Sequence, residues 1–276
     1  MNGFTKALAH LLIPLIFLLG CDGGRMEDQK KVYTSIKEIP QSTWKKLAEK
    51  RIYFGHQSVG QNILSGVGDV LRDNPQIKLS LVEVKGENTF STPQFAHSGI
   101  GSNGNPQSKI EAFSALMDKG MGRSANIAFF KFCYIDFDPS TDVEKVFHMY
   151  KETMGNLQKR YPNITFIHVT VPLTVLQKGP KAWVKSLLGK PISGYDDNIN
   201  RCQFNELLRK EYGDKAPLFD LAAIESTFPD GRRAFFQKDG HIYYHLVEDY
   251  TYDDGHLNEK GRKIAAEQLL VLLAGL

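Results

Sequence analysis

The sequence predicts an α/β fold in which a mainly parallel sheet lies between helical layers, and three observations predict it. Segments 126–132 and 164–171 are near-continuous apolar runs, as strands covered on both faces require. Amphipathic stretches separate such runs, so strand and helix alternate along the chain. The 276 residues are 42% hydrophobic and 24% charged, enough to bury a core in one globular domain.

A segment of another kind precedes the fold. Lys6 is followed by an apolar run over 11–19 that stops at Gly20-Cys21. Such a run is too short to cross a bilayer and fits the apolar core of an export signal. Leu18-Leu19-Gly20-Cys21 resembles the lipobox of bacterial lipoproteins, which implies cleavage before Cys21 and lipidation of its sulfur. A plain secretory signal or an N-terminal helix is the alternative. Each lipid methylene buried would add about 0.8 kcal/mol of membrane affinity, so Cys21 is the expected link to a membrane of the cell envelope. The organisation expected is a signal peptide over 1–20, a tether over 21–45 and a folded domain over 46–276. Within the tether, 22–31 is polar and Gly-containing, hence flexible.

Within the domain, periodicity predicts a strand over 51–54, a helix over 58–72 and a strand over 77–84. After a Gly/Ser/Asn-rich loop come a helix over 109–118 and the apolar strand over 126–132. A helix over 143–160 and the strand over 164–171 follow. Segment 173–195, with Gly179-Pro180, Lys190-Pro191 and Trp183, reads as an insertion. Beyond it come a helix over 198–211, a short strand over 218–221, a hairpin within 235–247 turning at Lys238-Asp239-Gly240, and a last helix over 259–273.

Charge and cysteine usage exclude several functions. A net charge of +3 without a basic run argues against a nucleic-acid partner. Cys133 and Cys202 lack metal-ligand spacing, and export leaves open either a disulfide or two free thiols. His241 and His245 share one strand face, but no zinc motif accompanies them. Neither metal nor cofactor is expected, and the expected state is a monomer.

Ser58 follows a strand and opens a helix, the position where sites gather in α/β sheets and where helix N–H groups face a developing anion. Serine is also a favoured N-cap, so the placement alone permits simple capping. The segment Tyr252-Asp253-Asp254-Gly255-His256-Leu257-Asn258 supplies what a serine nucleophile needs. His256 can take the hydroxyl proton, and Asp253, three residues earlier, can fix the imidazole tautomer. Asn258 is expected to cap the final helix. His56 is a second candidate base, but two residues from Ser58 the geometry is poor.

Asp253-x-x-His256-Leu257-Asn258-x-x-Gly261 resembles the last block of the SGNH/GDSL hydrolases, and Phe54-Gly55-x-x-Ser58 resembles their first. Residues 198–209 are similar to the helix before that family's final strand. The resemblance implies a flavodoxin-like three-layer α/β/α sandwich and ester hydrolysis through an acyl-enzyme. Two departures stand out. Gly55-His56-Gln57-Ser58 replaces the family's Gly-Asp-Ser, and after the central strand Lys131-Phe132-Cys133-Tyr134-Ile135-Asp136 lacks the asparagine that donates to the oxyanion. Losing one such donor typically costs about 100- to 1,000-fold in rate. The expected oxyanion hole is therefore Ser58 N–H, Gly101 N–H and the Asn103 amide, with Tyr134 and Asp136 lining the pocket; for Asp136 a structural role is the alternative. For Gly101 and Asn103, plain turn formation is the alternative.

The function expected is an exported serine esterase acting on acylated small molecules or glycans, acetyl groups first among them. Trp183, Phe235, Phe236, Tyr243 and Tyr244 are candidate sugar platforms, although core packing is their commoner fate. The alternative is an inactive envelope lipoprotein that uses the same fold to bind glycan or protein partners.

Overall fold

A computed structural model describes residues 33–84, 90–177, 179–180, 184, 187–188 and 194–276. The segment 1–20 expected to be a signal peptide, Cys21 and Trp183 lie outside these residues. Six strands form one sheet: β1 (Arg51–His56), β2 (Leu81–Glu83), β3 (Gln94–Gly99), β4 (Ile127–Phe130), β5 (Thr165–Val169) and β6 (Leu218–Phe219). Their order is β2-β3-β1-β4-β5-β6, and every neighbouring pair is parallel. Without the edge strand β2, this is the flavodoxin-like order of a doubly wound sheet.

Side-chain alternation divides the core in two. Ile52, Phe54, Ile127, Phe129, Ile167 and Val169 face one layer, while Tyr53, Ala128, Phe130 and Phe166 face the other. The first layer holds α1 (Gln41–Ala48), α2 (Val59–Asp73) and the C-terminal helix. On the second face lie α3 (Pro106–Leu116), α4 (Val143–Arg160) and α5 (Tyr195–Tyr212). The short α6 (Leu221–Glu225) leads to the antiparallel hairpin β7 (Phe235–Lys238) and β8 (His241–Tyr244), and α7 (Glu259–Ala274) closes the fold. Asp239 and Gly240, both with positive φ, make the hairpin turn. Asn258 caps α7, accepting from Gly261 N at 3.0 Å. The layers are those of a three-layer α/β/α sandwich.

Chain direction switches at β1, which has β3 on one side and β4 on the other. The carboxyl ends of these three strands define the edge where such sheets bind ligands. Two elements differ from the sequence reading. Gln94–Gly99, placed in a loop by its composition, is an inner strand whose Phe95 and Ala96 are buried. The range expected as a tether, 21–45, overlaps the folded domain, because α1 begins within it and Trp44 is only 2% exposed. A single indole buried against α7 and its neighbours suffices to bring this polar-looking stretch into the domain.

Replacing Trp44 by alanine is expected to lower unfolding free energy by about 3–5 kcal/mol, as for other buried aromatics. Urea unfolding of the wild-type and Trp44→Ala chains measures this, and a change near zero would return residue 44 to the tether.

Candidate active site

Ser58 sits between β1 and α2 with φ 49° and ψ −106°. A non-glycine residue there costs on the order of 1–3 kcal/mol and needs its surroundings to hold it. Its hydroxyl makes no capping bond to α2. Instead it hydrogen-bonds His256 Nε2.

The His256 loop is built around one carboxylate. Asp253 Oδ2 accepts from His256 Nδ1 at 2.7 Å, and Oδ1 accepts from the backbone N–H groups of His256 at 2.7 Å and Gly255 at 3.3 Å. With its proton on Nδ1, the imidazole presents Nε2 as an acceptor to the serine hydroxyl. Burial acts to raise the Asp253 pKa, but these donors outweigh it and hold the carboxyl below its ordinary value. Two anchors fix the loop to the body: Leu257 N donates to Asn62 Oδ1 on α2 at 3.2 Å, and Val175 N donates to Asp254 O at 2.9 Å. Gly255 is required by close approach, since a Cβ there would lie 2.8 Å from the Tyr134 ring. The Tyr134 hydroxyl reaches 3.4 Å from His256 Nδ1, and Tyr252 stacks on the other side of the imidazole at 6.1 Å.

Strand register positions the flanks of Ser58. His56 pairs with Gly99, so Gly101 lies as far beyond β3 as Ser58 lies beyond β1. Gly55 pairs with Phe130, which puts Cys133 level with Ser58 on the β4 side. The Gln57 side chain donates to Ile100 O at 3.2 Å and Gly101 O at 3.0 Å, tying the β3 loop to the serine turn. Gly101 has φ +58°, and a Cβ there would meet Lys109 at 2.7 Å.

Two sequence-predicted site residues serve another purpose. Asp136 does not line the pocket: it is 2% exposed and accepts from Lys109 Nζ at 2.5 Å, Cys133 N at 2.7 Å and Gly104 N at 2.9 Å. Asn103 stands on the exposed turn with its side-chain oxygen accepting from Lys109 Nζ at 3.1 Å, and no described contact joins it to Ser58 or His256. Both residues brace the two loops that flank Ser58. Tyr134 borders a cleft of about 530 Å³ together with Ile135, Thr174, Arg201, Asp253 and Gly255; neither Ser58 nor His256 is among its lining residues.

The remaining candidates fall elsewhere. His56 is buried and faces His97, Nε2 to Nδ1 3.1 Å, and burial followed by the charges of His97 and Lys131 lowers its pKa to about 3. Cys133 and Cys202 are separate buried free thiols. His241 is exposed, while His245 is buried and bonds Leu246 O at 2.9 Å. Phe236 is buried against Tyr195 and Tyr243, whereas Phe235 is 53% exposed. Sequence reasoning missed Gln57, Lys109, Lys131 and Arg201. Lys131 carried a readable signal, a charge within an apolar run. Arg201, 4% exposed, donates to Tyr134 O at 2.9 Å and Thr174 Oγ1 at 2.7 Å, so it sets the cleft floor.

No family model matches the chain, and no curated protein matches it in sequence. Solved structures are similar to it in fold. A GDSL-like lipase from Bacteroides thetaiotaomicron VPI-5482 is 12% identical over 86% of this chain and 100% of that one, at a TM-score of 0.49. A protein described as a GDSL-like lipase from Parabacteroides merdae ATCC 43184 is 14% identical over 83% and 97%, also at 0.49. The periplasmic domain of a Salmonella ser. Paratyphi A lipopolysaccharide acetyltransferase is 10% identical over 80% and 82%, at 0.44. At these identities the likeness concerns the fold, and the atoms of this chain bear on its chemistry.

Lys109→Met leaves Asp136 buried without its cation and is expected to cost about 3–5 kcal/mol. Adding Asp136→Asn should recover part of that loss, because it removes the orphaned charge and keeps an acceptor. Urea unfolding of the two single variants and the double variant measures the coupling; strictly additive losses would contradict it.

Proposed function

We propose that the chain is a serine esterase that forms an acyl-enzyme on Ser58. The observation that carries this reading is the continuous hydrogen-bond chain from Ser58 Oγ through the His256 imidazole to Asp253. His256 Nε2 takes the hydroxyl proton as Ser58 Oγ attacks the ester carbonyl, and Asp253 holds the imidazolium that results. Collapse of the tetrahedral intermediate expels the alcohol, which receives that proton. Water, activated by the same histidine, then attacks the acyl-enzyme and releases the acid.

The oxyanion accepts hydrogen bonds from the N–H groups of Ser58 and Gly101. Among the described residues neither donates to a protein acceptor, which leaves both available for this role. The N-terminus of α2 adds a favourable partial positive charge. Glycan acetyl esters are the substrates this reading favours. Asp138, Asp197 and Arg201 around the cleft offer acceptors and donors suited to hydroxyl groups. Export and a lipid anchor on Cys21 belong to the same reading, on the strength of residues 11–21.

Turnover of p-nitrophenyl acetate tests it. Ser58→Ala and His256→Ala are each expected to lower kcat by at least about 1,000-fold, and Asp253→Asn by a comparable factor through loss of the tautomer. A folded wild-type chain with no turnover would reject the reading and favour the inactive, partner-binding alternative, whereas full activity in Ser58→Ala would show that another residue is the nucleophile.

A further inference from the structure

Lys131 is the least expected residue near the site. It is 0% exposed, and among the described residues no carboxylate lies within ion-pair distance of it. Burial lowers its pKa from the ordinary lysine value; Cys133 opposes that shift, Lys109 adds to it, and Asp136 and Glu225 act from longer range. A buried cation without a carboxylate partner carries a large desolvation cost, so its position asks for an explanation. Its ammonium donates to Phe132 O at 2.8 Å and to Cys133 Sγ at 3.6 Å. The Cys133 thiol in turn donates to Gln57 O at 3.7 Å.

Gln57 O belongs to the peptide group that carries the Ser58 N–H. That peptide is trans, so its C=O and N–H point in opposite directions. Gln57 O also accepts from Gly60 N at 2.9 Å, so the carbonyl is held on the inner side of the turn and the Ser58 N–H faces outward. Donors on a carbonyl draw electron density from its amide and strengthen the N–H, and chains of such bonds reinforce one another. Ser58 has positive φ, a conformation in which the peptide must be held from outside.

We propose that Lys131 and Cys133 form a positioning relay that pins and polarises the Gln57–Ser58 peptide, so that the Ser58 N–H binds the oxyanion. This rests on the esterase reading above. Neither side chain touches the substrate, and no bond to either forms or breaks. As the carbonyl carbon becomes tetrahedral, negative charge gathers on its oxygen, the hydrogen bond it accepts from the Ser58 N–H shortens, and the relay responds from behind. The thiol, level with Ser58 beyond β4, therefore compensates for the side-chain donor missing on that side.

The test uses the purified full chain, with p-nitrophenyl acetate kinetics on Cys133→Ala, Cys133→Ser, Lys131→Met and the Cys133→Ala/Lys131→Met double variant. Methionine and serine match the lost side chains in size, so folding, followed by thermal midpoint, should survive. Cys133→Ala is expected to lower kcat about tenfold with KM unchanged, and Cys133→Ser to stay within about threefold of wild type, since a hydroxyl keeps the donor. Lys131→Met should lower kcat about fivefold, and the double variant should be no more than about twofold below Cys133→Ala, because the two act in series. Affinity for a trifluoromethyl ketone, which forms a tetrahedral adduct on serine, should fall in step with kcat. Cys133→Ala at the wild-type rate, Cys133→Ser as impaired as Cys133→Ala, or multiplying effects in the double variant would overturn the relay. If turnover is Ser58-dependent in the wild type while these variants keep its rate, the relay alone fails; a wild type without turnover defeats the esterase reading and the relay with it.

Discussion

Lys109 and Asp136 carry opposite charges on side chains with no exposed surface, and their 2.5 Å contact joins the first turn of α3, which follows β3, to the turn that follows β4. Those strands flank β1, so the pair spans the carboxyl edge on which Ser58 stands. A buried ion pair contributes little net stability against a well-packed apolar substitute, but breaking it is costly, which makes it a device for fixing one arrangement. Asp136 also takes the backbone N–H groups of Gly104 and Cys133, and Lys109 holds Asn103. One carboxylate thus sets the relative position of both flanks of Ser58.

The serine turn exploits that rigidity. Ser58 adopts a backbone conformation that it would not hold alone, and its hydroxyl is diverted from helix capping to His256. Gln57 above and Cys133 below grip the same peptide, one through the β3 loop and the other through the β4 loop. The histidine loop approaches from a third direction, anchored on α2 through Asn62 and on the segment after β5 through Val175. Strain, burial and hydrogen bonding converge on a few atoms, as preorganised electrostatic catalysis requires.

Much of this was legible in the sequence, for identifiable reasons. The apolar runs that become β4 and β5 announce themselves because strands covered on both faces need them. Helix α4 matches its expected span, Val143–Arg160, because Asp142 caps it and its apolar spacing is regular. The contact between His256 and Asp253 was readable because the two residues lie three apart on one loop. Strand β3 was not: Gln94–Gly99 contains no β-branched residue and is fixed by its neighbours rather than by propensity. Nor were the roles of Lys109, Asp136, Lys131 and Cys133 legible. Charges and thiols far apart in sequence pair only once the parallel register is known, and composition carries no trace of that register. Asp136 read equally as a pocket or a structural residue, because a carboxylate near a strand end allows either, and burial with Lys109 makes it a brace.

The central claim is that the Ser58 hydroxyl, activated by His256 and Asp253, is the nucleophile of an esterase. Reaction of the folded chain with a fluorophosphonate, followed by intact mass and peptide mapping, tests this most directly. The account predicts one adduct per chain, located on Ser58 and lost in His256→Ala. An unlabelled folded chain, or an adduct on another residue, would contradict it.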